Sequence, residues 1–293
     1  MININKNIIY SSSFIILACF LGVCNDAVIN YLSPKGIEFY HFVFYGTPIY
    51  LLIPIYYLLI GKLKKNLQCT NYFIPILRSI IFVPMPILSF IVLRNISLPE
   101  FTTLNMTTPI FGIIISILFL KEKINKFIIF SFLFGIIGVL LVIRPGFDSY
   151  SHYYLPVLIT AFLLALNGML VNKYNNVASN IGFFIYGGIF THLISIIFFL
   201  FDPIFIDFFT FLLITISSIF VNIAIILWFL ACQKSINFFG SLNSLIYVQI
   251  LFSMILGIIF FNEKLTLIPL IGAFFIIISG LISIPAQIKQ QVN

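Results

Sequence analysis

The stretch TTLNMTTPIFGIIISILFLKEKI (residues 102–124) recurs in weaker form as NFFGSLNSLIYVQILFSMILGIIFFNEKL (residues 237–265). Within it, LFLKEKI at 118–124 matches IFFNEKL at 259–265, so the shift along the chain is 141 residues. Two further pairs lie in the same order at nearly the same shift: NDAVIN (25–30) with NGMLVN (167–172), and GVLLVIRP (138–145) with GLISIP (280–285). The nearly constant shift indicates two halves that repeat one structural unit.

The composition places this repeated unit in a membrane. The 293 residues are 61% hydrophobic and only 8% charged, and the mean hydropathy is +1.18. Soluble domains carry roughly 25% charged residues, because a globular surface needs polar cover. An unclosed strand cannot satisfy its backbone hydrogen bonds in lipid, whereas a helix can. We therefore expect an all-α polytopic membrane protein.

The apolar runs break where Lys, Asn, Pro, Asp and Glu cluster, and each run is long enough to cross about 30 Å of hydrocarbon. The breaks predict ten transmembrane helices: 8–32, 37–60, 72–93, 99–120, 124–143, 154–173, 179–200, 208–233, 238–261 and 266–285. The first run has no A-x-A cleavage pattern after it, so we expect a span there and not a signal peptide. Pro84 and Pro86 should kink the third helix.

Ten helices in two halves give five helices per half. Because five is odd, the second half should enter the membrane upside down, and the predicted domains are two inverted five-helix repeats, residues 1–145 and 146–293. Inverted repeats are typical of secondary transporters, in which the substrate site lies near the membrane midplane between the halves. Rocking of one bundle against the other then exposes the site to each side in turn.

The basic residues predict the orientation of the chain. With a cytoplasmic N-terminus, ten of them lie in cytoplasmic segments: Lys6, Lys62, Lys64, Lys65, Lys121, Lys123, Lys126, Lys173, Lys234 and Lys289. Four lie on the other side: Lys35, Arg94, Arg144 and Lys264. The positive-inside rule therefore predicts that both the N-terminus and the C-terminus are cytoplasmic.

Asp26 is the one carboxylate predicted to lie in the middle of a span, where an acid costs roughly 2.5–3.5 kcal/mol. Four residues share one stripe at helical spacing: Cys19, Gly22, Asp26 and Asn30. This stripe predicts a groove with a negative floor, in which Asp26 and its neighbour Asn25 serve as a counter-charge for a cationic substrate or as a proton site. The alternative is a purely structural ion pair of Asp26 with Arg78.

Arg78 is the one basic residue well inside a predicted span. It can bind a carboxylate or a phosphate through two parallel hydrogen bonds, or it can snorkel to the lipid headgroups. A zwitterionic nucleoside–amino acid would satisfy both Asp26 and Arg78. Asn167 and Asn172 repeat the spacing of the first-half asparagines, and they are expected either to bind the ligand or to join helices.

Further polar and aromatic residues are candidates for the walls of the site. Tyr40 and Tyr45, with His41 between them, lie in the second helix, and aromatic faces attract sulfonium and ammonium cations. The ninth helix offers two polar faces, of which at most one points at the cavity: Asn243 with Tyr247, and Gln249 with Ser253.

Other chemistry is not indicated. The four cysteines lack C-x-x-C spacing, and His152 and His192 lack metal-ligand neighbours, so we predict no metal and no cofactor. The acids are scattered, which argues against an enzyme. No basic cluster with interleaved aromatics suggests nucleic acid. Glu122 and Glu263 end the fourth and ninth helices, where an acid opposes the helix dipole, and we interpret them as structural or gating elements with a partner.

The two five-helix halves resemble the drug/metabolite transporter superfamily in its EamA-type ten-helix form. Pro109 followed by an apolar run that ends in Glu122 carries this resemblance. Three stretches are also similar to S-adenosylmethionine uptake transporters of obligate intracellular bacteria: CNDAVINYL (24–32), PILRSIIFVPMP (75–86) and YVQILFSMILGIIFFNEKL (247–265). The resemblance implies import of S-adenosylmethionine through a bacterial inner membrane, with exchange for the demethylated product as one route.

Two other functions remain open at this point. One is an EamA-type exporter of amino acids or other metabolites, and the other is a structural membrane protein that transports nothing. No Walker motif is present, so transport is expected to be secondary or facilitated. A small-molecule substrate, cationic or zwitterionic, and the lipid bilayer are the predicted partners.

Overall fold

The computed structural model describes residues 2–96, 98–122, 125–143 and 152–261, and beyond these residues 268, 271–272, 274–279 and 281–282. Within these ranges the chain is helical and contains no strand. The α-helices are α1 Ile2–Leu32, α2 Phe39–Leu59, α3 Leu63–Leu67, α4 Phe73–Phe82, α5 Pro84–Leu93, α6 Leu98–Asn105, α7 Thr108–Ile115, α8 Lys126–Ile143, α9 Tyr154–Lys173, α10 Asn180–Phe201, α11 Phe208–Lys234, α12 Phe239–Asn243 and α13 Val248–Phe261. Short 3₁₀ and π segments lie at Ser33–Lys35, Ser116–Leu120 and Ser244–Tyr247.

Seven helical stretches of the described chain are long and apolar enough to cross a membrane: Asn7–Lys35, Phe39–Leu59, Phe73–Leu93, Tyr154–Lys173, Asn180–Phe201, Phe208–Lys234 and Phe239–Phe261. Two shorter apolar helices, Thr108–Leu120 and Lys126–Gly138, correspond to the fourth and fifth predicted spans. The tenth predicted span, 266–285, is described only in part, because nine of its 20 residues lie outside the described ranges, and the count of ten stays a prediction. The protein is a multi-pass membrane protein.

Proline decides where two of the spans break. The third span divides at Val83, between the end of α4 and Pro84 at the start of α5, as the sequence predicted. The fourth span was expected as one helix over 99–120, but it consists of α6, α7 and a π turn. Pro109 occupies the first turn of α7, where its missing N–H costs least. The Thr108 hydroxyl donates to the Asn105 carbonyl oxygen at 2.7 Å and so satisfies one of the carbonyls left free at the break.

The long helices pack around a common centre. α1 packs along α11 and α13, while α9 packs against α5 and α7. α10 contacts both α2 and α4, and α11 contacts α2. The central space of the bundle is therefore enclosed by α1, α5, α9 and α11.

Polar contacts join helices at both ends of the bundle. At the end where α2 begins, Arg94 Nη1 donates to Glu38 Oε1 at 2.8 Å, and Arg94 Nε donates to the Ser33 carbonyl oxygen at 3.0 Å. At the end where α12 begins, the Glu122 carboxylate accepts from the backbone N–H groups of Phe239 and Gly240, each at 2.8 Å. Glu122 thus has the partner that the sequence led us to expect, and Glu263 lies outside the described residues.

Candidate functional site

A cavity of about 210 Å³ lies at the centre of the bundle, between α1, α5, α6, α9, α11 and α13. Its polar wall consists of Asn25, Asp26, Ser89, Asn105, Thr160, Asn167 and Gln249. Its aromatic wall consists of Phe82, Phe101, Trp228 and Phe229. Polar groups that converge on an otherwise apolar concave surface are the usual form of a small-molecule site.

Two smaller cavities adjoin the central one. They have volumes of about 120 Å³ and 50 Å³, and Phe82 and Ile225 line all three. Asn25 lies between the central cavity and the second, and His192 lies between the second and the third. Asp26 and Arg78 therefore line two different members of this set of neighbouring cavities, the central one and the smallest one.

Asp26 faces the central cavity with an amide as its neighbour. Asn25 Nδ2 lies 3.4 Å from Asp26 Oδ1, while Asn25 Oδ1 accepts from Ser217 Oγ of α11 at 2.8 Å. Across the described ranges, no basic side chain forms an ion pair with Asp26. The structural pair with Arg78 that the sequence left open is therefore not formed, and the carboxylate can serve a cationic ligand.

Arg78 is buried in α4, with 2% of its surface exposed. Its Nη1 donates to the Phe183 carbonyl oxygen at 2.9 Å, and its guanidinium carbon lies 4.1 Å from the ring centroid of Phe229. In the described part of the chain no carboxylate pairs with it, and its Nε has no hydrogen-bond partner. Snorkelling is also not observed, because the side chain is turned into the protein.

Of the four asparagines that the repeat singled out, the first of each pair lines the central cavity and the second does not. Asn25 and Asn167 are in the cavity wall, and Asn167 Oδ1 has no hydrogen-bond partner in the described structure. Asn30 Nδ2 instead donates to the Leu93 carbonyl oxygen at 2.9 Å, at the end of α5. Asn172 Nδ2 donates to the Cys232 carbonyl oxygen at 2.9 Å. These two amides join helices, because each lies where a neighbouring helix leaves carbonyls free.

The face of the ninth span that meets the cavity is the one with Gln249. Gln249 lines the central cavity, and its Oε1 has no partner among the described groups. Asn243 and Tyr247 are 1% exposed and line none of the three cavities. Asn243 packs against Gly112 and Tyr247 packs against Gly135, where an added Cβ would overlap either side chain.

The aromatic residues of the second helix lie away from the three cavities. The Tyr40 hydroxyl donates to Asp202 Oδ2 at 2.5 Å, and the Tyr45 hydroxyl donates to the Ile204 carbonyl oxygen at 2.6 Å. His41 Nε2 is 2.7 Å from the Asp202 carbonyl oxygen. These contacts tie the start of α2 to the segment between α10 and α11, because the three rings lie within the first two turns of α2.

Sequence reasoning missed Asn222 in α11. Asn222 lines both smaller cavities, and so does Thr191. A signal was present: Ser218 and Asn222 are polar, four residues apart and inside an apolar run, so they share one helical face. The predicted residues Asp26, Asn25, Asn167 and Gln249 are brought together in one cavity, while Arg78 lies in an adjoining one.

An apolar helix bundle with a central cavity that carries several polar side chains is typical of a multi-pass membrane protein with a candidate ligand site. Residues 9–144 match the model of the EamA-like transporter family. This match supports the resemblance of the chain to the drug/metabolite transporter superfamily, whose EamA members are transporters and not enzymes. A transporter of this kind acts on a small molecule within a lipid bilayer.

The known proteins to which the chain is similar include one curated relative and one protein of known crystal structure. Over 73 residues, 25% of the chain is 36% identical to a riboflavin transporter of Brucella anthropi, and the match spans 26% of the length of that protein. A protein of known crystal structure has the same fold, with a TM-score of 0.73 at 13% sequence identity over 93% of this chain and 96% of its own. Among the described residues no group of His, Cys, Asp and Glu could hold a metal ion.

Proposed function

We propose that the chain is a secondary transporter that carries a small metabolite across the bacterial inner membrane by alternating access around the central cavity. The observation that carries this proposal is Asp26, a carboxylate in the wall of an internal cavity to which no described basic side chain is paired. An unpaired acid in a span is expensive and marks a substrate or ion pathway.

The proposed architecture is ten helices in two inverted repeats, residues 1–145 and 146–293, with both termini in the cytoplasm. The helix pairing supports it, because α1 contacts α13 and α9 contacts α7, and these would be equivalent pairs under a two-fold axis in the membrane plane. Ser131 and Ser279 add a reciprocal contact, in which each hydroxyl donates to the other residue's carbonyl oxygen, at 2.9 Å and 2.7 Å. At the shift of 141 residues Ser131 corresponds to Gly272 and Ser279 to Gly138, and the close approach of Gly138 to Gly272 is the counterpart contact that such an axis predicts.

The proposed substrate is S-adenosylmethionine, taken up by the cell and exchanged for its demethylated product. Its sulfonium and ammonium groups suit the Asp26 carboxylate. Its adenine ring suits the aromatic wall with Phe101 and Trp228, since flat rings stack on aromatic side chains. The resemblance of residues 24–32, 75–86 and 247–265 to uptake transporters for this compound points to the same substrate.

Uptake into liposomes tests the transport function and the substrate together. Purified protein should take up radiolabelled S-adenosylmethionine in a saturable manner, and unlabelled S-adenosylmethionine inside the vesicles should accelerate the uptake if exchange operates. Liposomes without protein provide the background. Uptake no greater than that background, from protein shown to be folded, would remove S-adenosylmethionine as the substrate.

Riboflavin is a second candidate substrate, favoured by the relative in Brucella anthropi. It presents a flat ring system for the aromatic wall but no positive centre for Asp26. Riboflavin uptake in the same vesicles, without S-adenosylmethionine uptake, would favour this alternative. Export of amino acids is tested by loading the vesicles with a labelled amino-acid mixture and measuring its loss.

A further inference from the structure

The smallest of the three cavities, about 50 Å³, lies beside the buried guanidinium of Arg78. A buried charge without a partner is strongly destabilising, so proteins pair such charges or leave them for a ligand. No described carboxylate pairs with Arg78. The Phe183 carbonyl oxygen and the Phe229 ring contact the guanidinium, but neither carries a negative charge.

Two polar atoms around this space have no hydrogen-bond partner in the described structure, Arg78 Nε and Thr191 Oγ1. Both residues line the cavity, together with Asn222. Gly187 allows this arrangement, because a Cβ there would overlap the guanidinium group of Arg78. The donors of Arg78, Thr191 and Asn222 can therefore serve one small acceptor in the cavity.

The size of the cavity limits that acceptor. A water-sized group needs about 10–15 Å³ measured this way, so the space holds the three heavy atoms of a carboxylate. Phe82, Phe184 and Ile225 form apolar walls, which strengthen a charge-assisted hydrogen bond by excluding water. A guanidinium binds a planar carboxylate through two parallel N–H···O bonds.

We propose that Arg78 is the binding residue for a carboxylate of the transported molecule, while Asp26 binds its positive centre. This proposal rests on the proposed transport function. The two sites lie in neighbouring cavities, and Phe82 and Ile225 line all three cavities. The substrate class is therefore a zwitterion with separated charges, in which an amino-acid carboxylate is one end.

Equilibrium binding to purified protein tests the carboxylate site directly. The two ligands are S-adenosylmethionine and its analogue in which hydrogen replaces the carboxylate. The wild-type chain should bind the first at least about tenfold more tightly. Arg78→Gln should bind the two equally, because the charged donor is lost. Arg94→Gln is the matched control, since Arg94 is paired with Glu38 at the end of the bundle, and it should keep the wild-type preference.

Equal binding of the two ligands by wild-type protein would overturn the proposal, and so would an unchanged preference in Arg78→Gln. If Arg78→Gln does not fold, Arg78→Lys replaces it. Lysine keeps the charge but lacks the planar fork, so the preference should fall several-fold, and an unchanged preference would contradict the proposal.

If wild-type protein binds neither ligand, S-adenosylmethionine is not the substrate, and a different ligand is needed to test the carboxylate site. Formate, with formamide as the neutral control, then tests Arg78 alone. Formate should raise the melting temperature of the wild-type chain but not that of the Arg78 variant. Equal effects of formate on both proteins would overturn the carboxylate site.

Discussion

A carboxylate and a guanidinium lie in adjoining cavities of one helix bundle without forming an ion pair. The attraction between two charges falls with their separation, so each of these groups keeps its own set of neighbours. Ser217 of α11 holds Asn25, whose amide lies beside Asp26, and the Phe183 carbonyl oxygen of α10 holds Arg78. At the residue scale, we propose that these two charges, which pair with no described side chain of opposite charge, select the ligand.

At the scale of helices, Glu122 joins the end of the fourth span to the start of α12. It satisfies two of the four backbone N–H groups that a helix N-terminus leaves free. Burial raises the pKa of the Glu122 carboxyl, although hydrogen bonds from Gly240, Phe239 and Ser116 oppose that shift. The contact links the two predicted repeats at one end of the bundle.

Glu122→Ala should lower the stability of the folded protein by about 1–2 kcal/mol, because two buried N–H groups lose their acceptor. Glu122→Gln keeps one acceptor oxygen and should cost less. Because the raised pKa makes the folded state bind the proton more tightly, proton binding at Glu122 adds stability at low pH, and this added part is lost as the pH rises from about 4.3 through the raised pKa of the folded state. Thermal unfolding in detergent at several pH values measures both effects. A Glu122→Ala protein as stable as wild type would contradict the capping role.

The hydropathy pattern predicted the ends of the long helices well, but it predicted the interruptions within the spans less well. The predicted segments 154–173, 179–200 and 208–233 agree with α9, α10 and α11 to within one residue. The division of the fourth span was not predicted, since the hydropathy of 99–120 is continuous although Pro109 interrupts the hydrogen bonding. The kink at Val83 could be predicted because Pro84 and Pro86 lie in the middle of an apolar run.

The architecture of the whole molecule depends on which helices pack against each other. The hydrophobic periodicity of one helix gives little information about its packing partners. The spacing of Asn25 and Asn30 matches that of Asn167 and Asn172, yet only the first member of each pair lines the central cavity. Asn30 is one turn closer to the end of its helix, where the carbonyl oxygens of Leu93 and Ile96 accept its amide. The direction of each side chain follows from the neighbouring helix, which the local sequence does not specify.

Labelling of single cysteines tests the proposed ten-span topology. In a background without Cys19, Cys24, Cys69 and Cys232, the exposed residues Lys35 and Lys64 are replaced by cysteine, and Lys289 is replaced in a third variant. A membrane-impermeant maleimide should label Lys35→Cys in intact cells. Lys64→Cys and Lys289→Cys should be labelled only after permeabilisation. If only one of the Lys64 and Lys289 variants were labelled in intact cells, the two positions would lie on opposite sides of the membrane. That result would contradict the even number of spans predicted between Lys64 and Lys289.

The most direct test of the central claim is uptake of S-adenosylmethionine by liposomes that contain Asp26→Asn. This change removes the charge but keeps the size of the side chain, and uptake should fall by well over about tenfold, equivalent to more than about 1.4 kcal/mol. Asp207→Asn is the matched control, because Asp207 lies outside the spans as the N-cap of α11 and asparagine caps equally well. Wild-type uptake by Asp207→Asn with nearly none by Asp26→Asn is the predicted result, and undiminished uptake by Asp26→Asn would contradict the role of its charge.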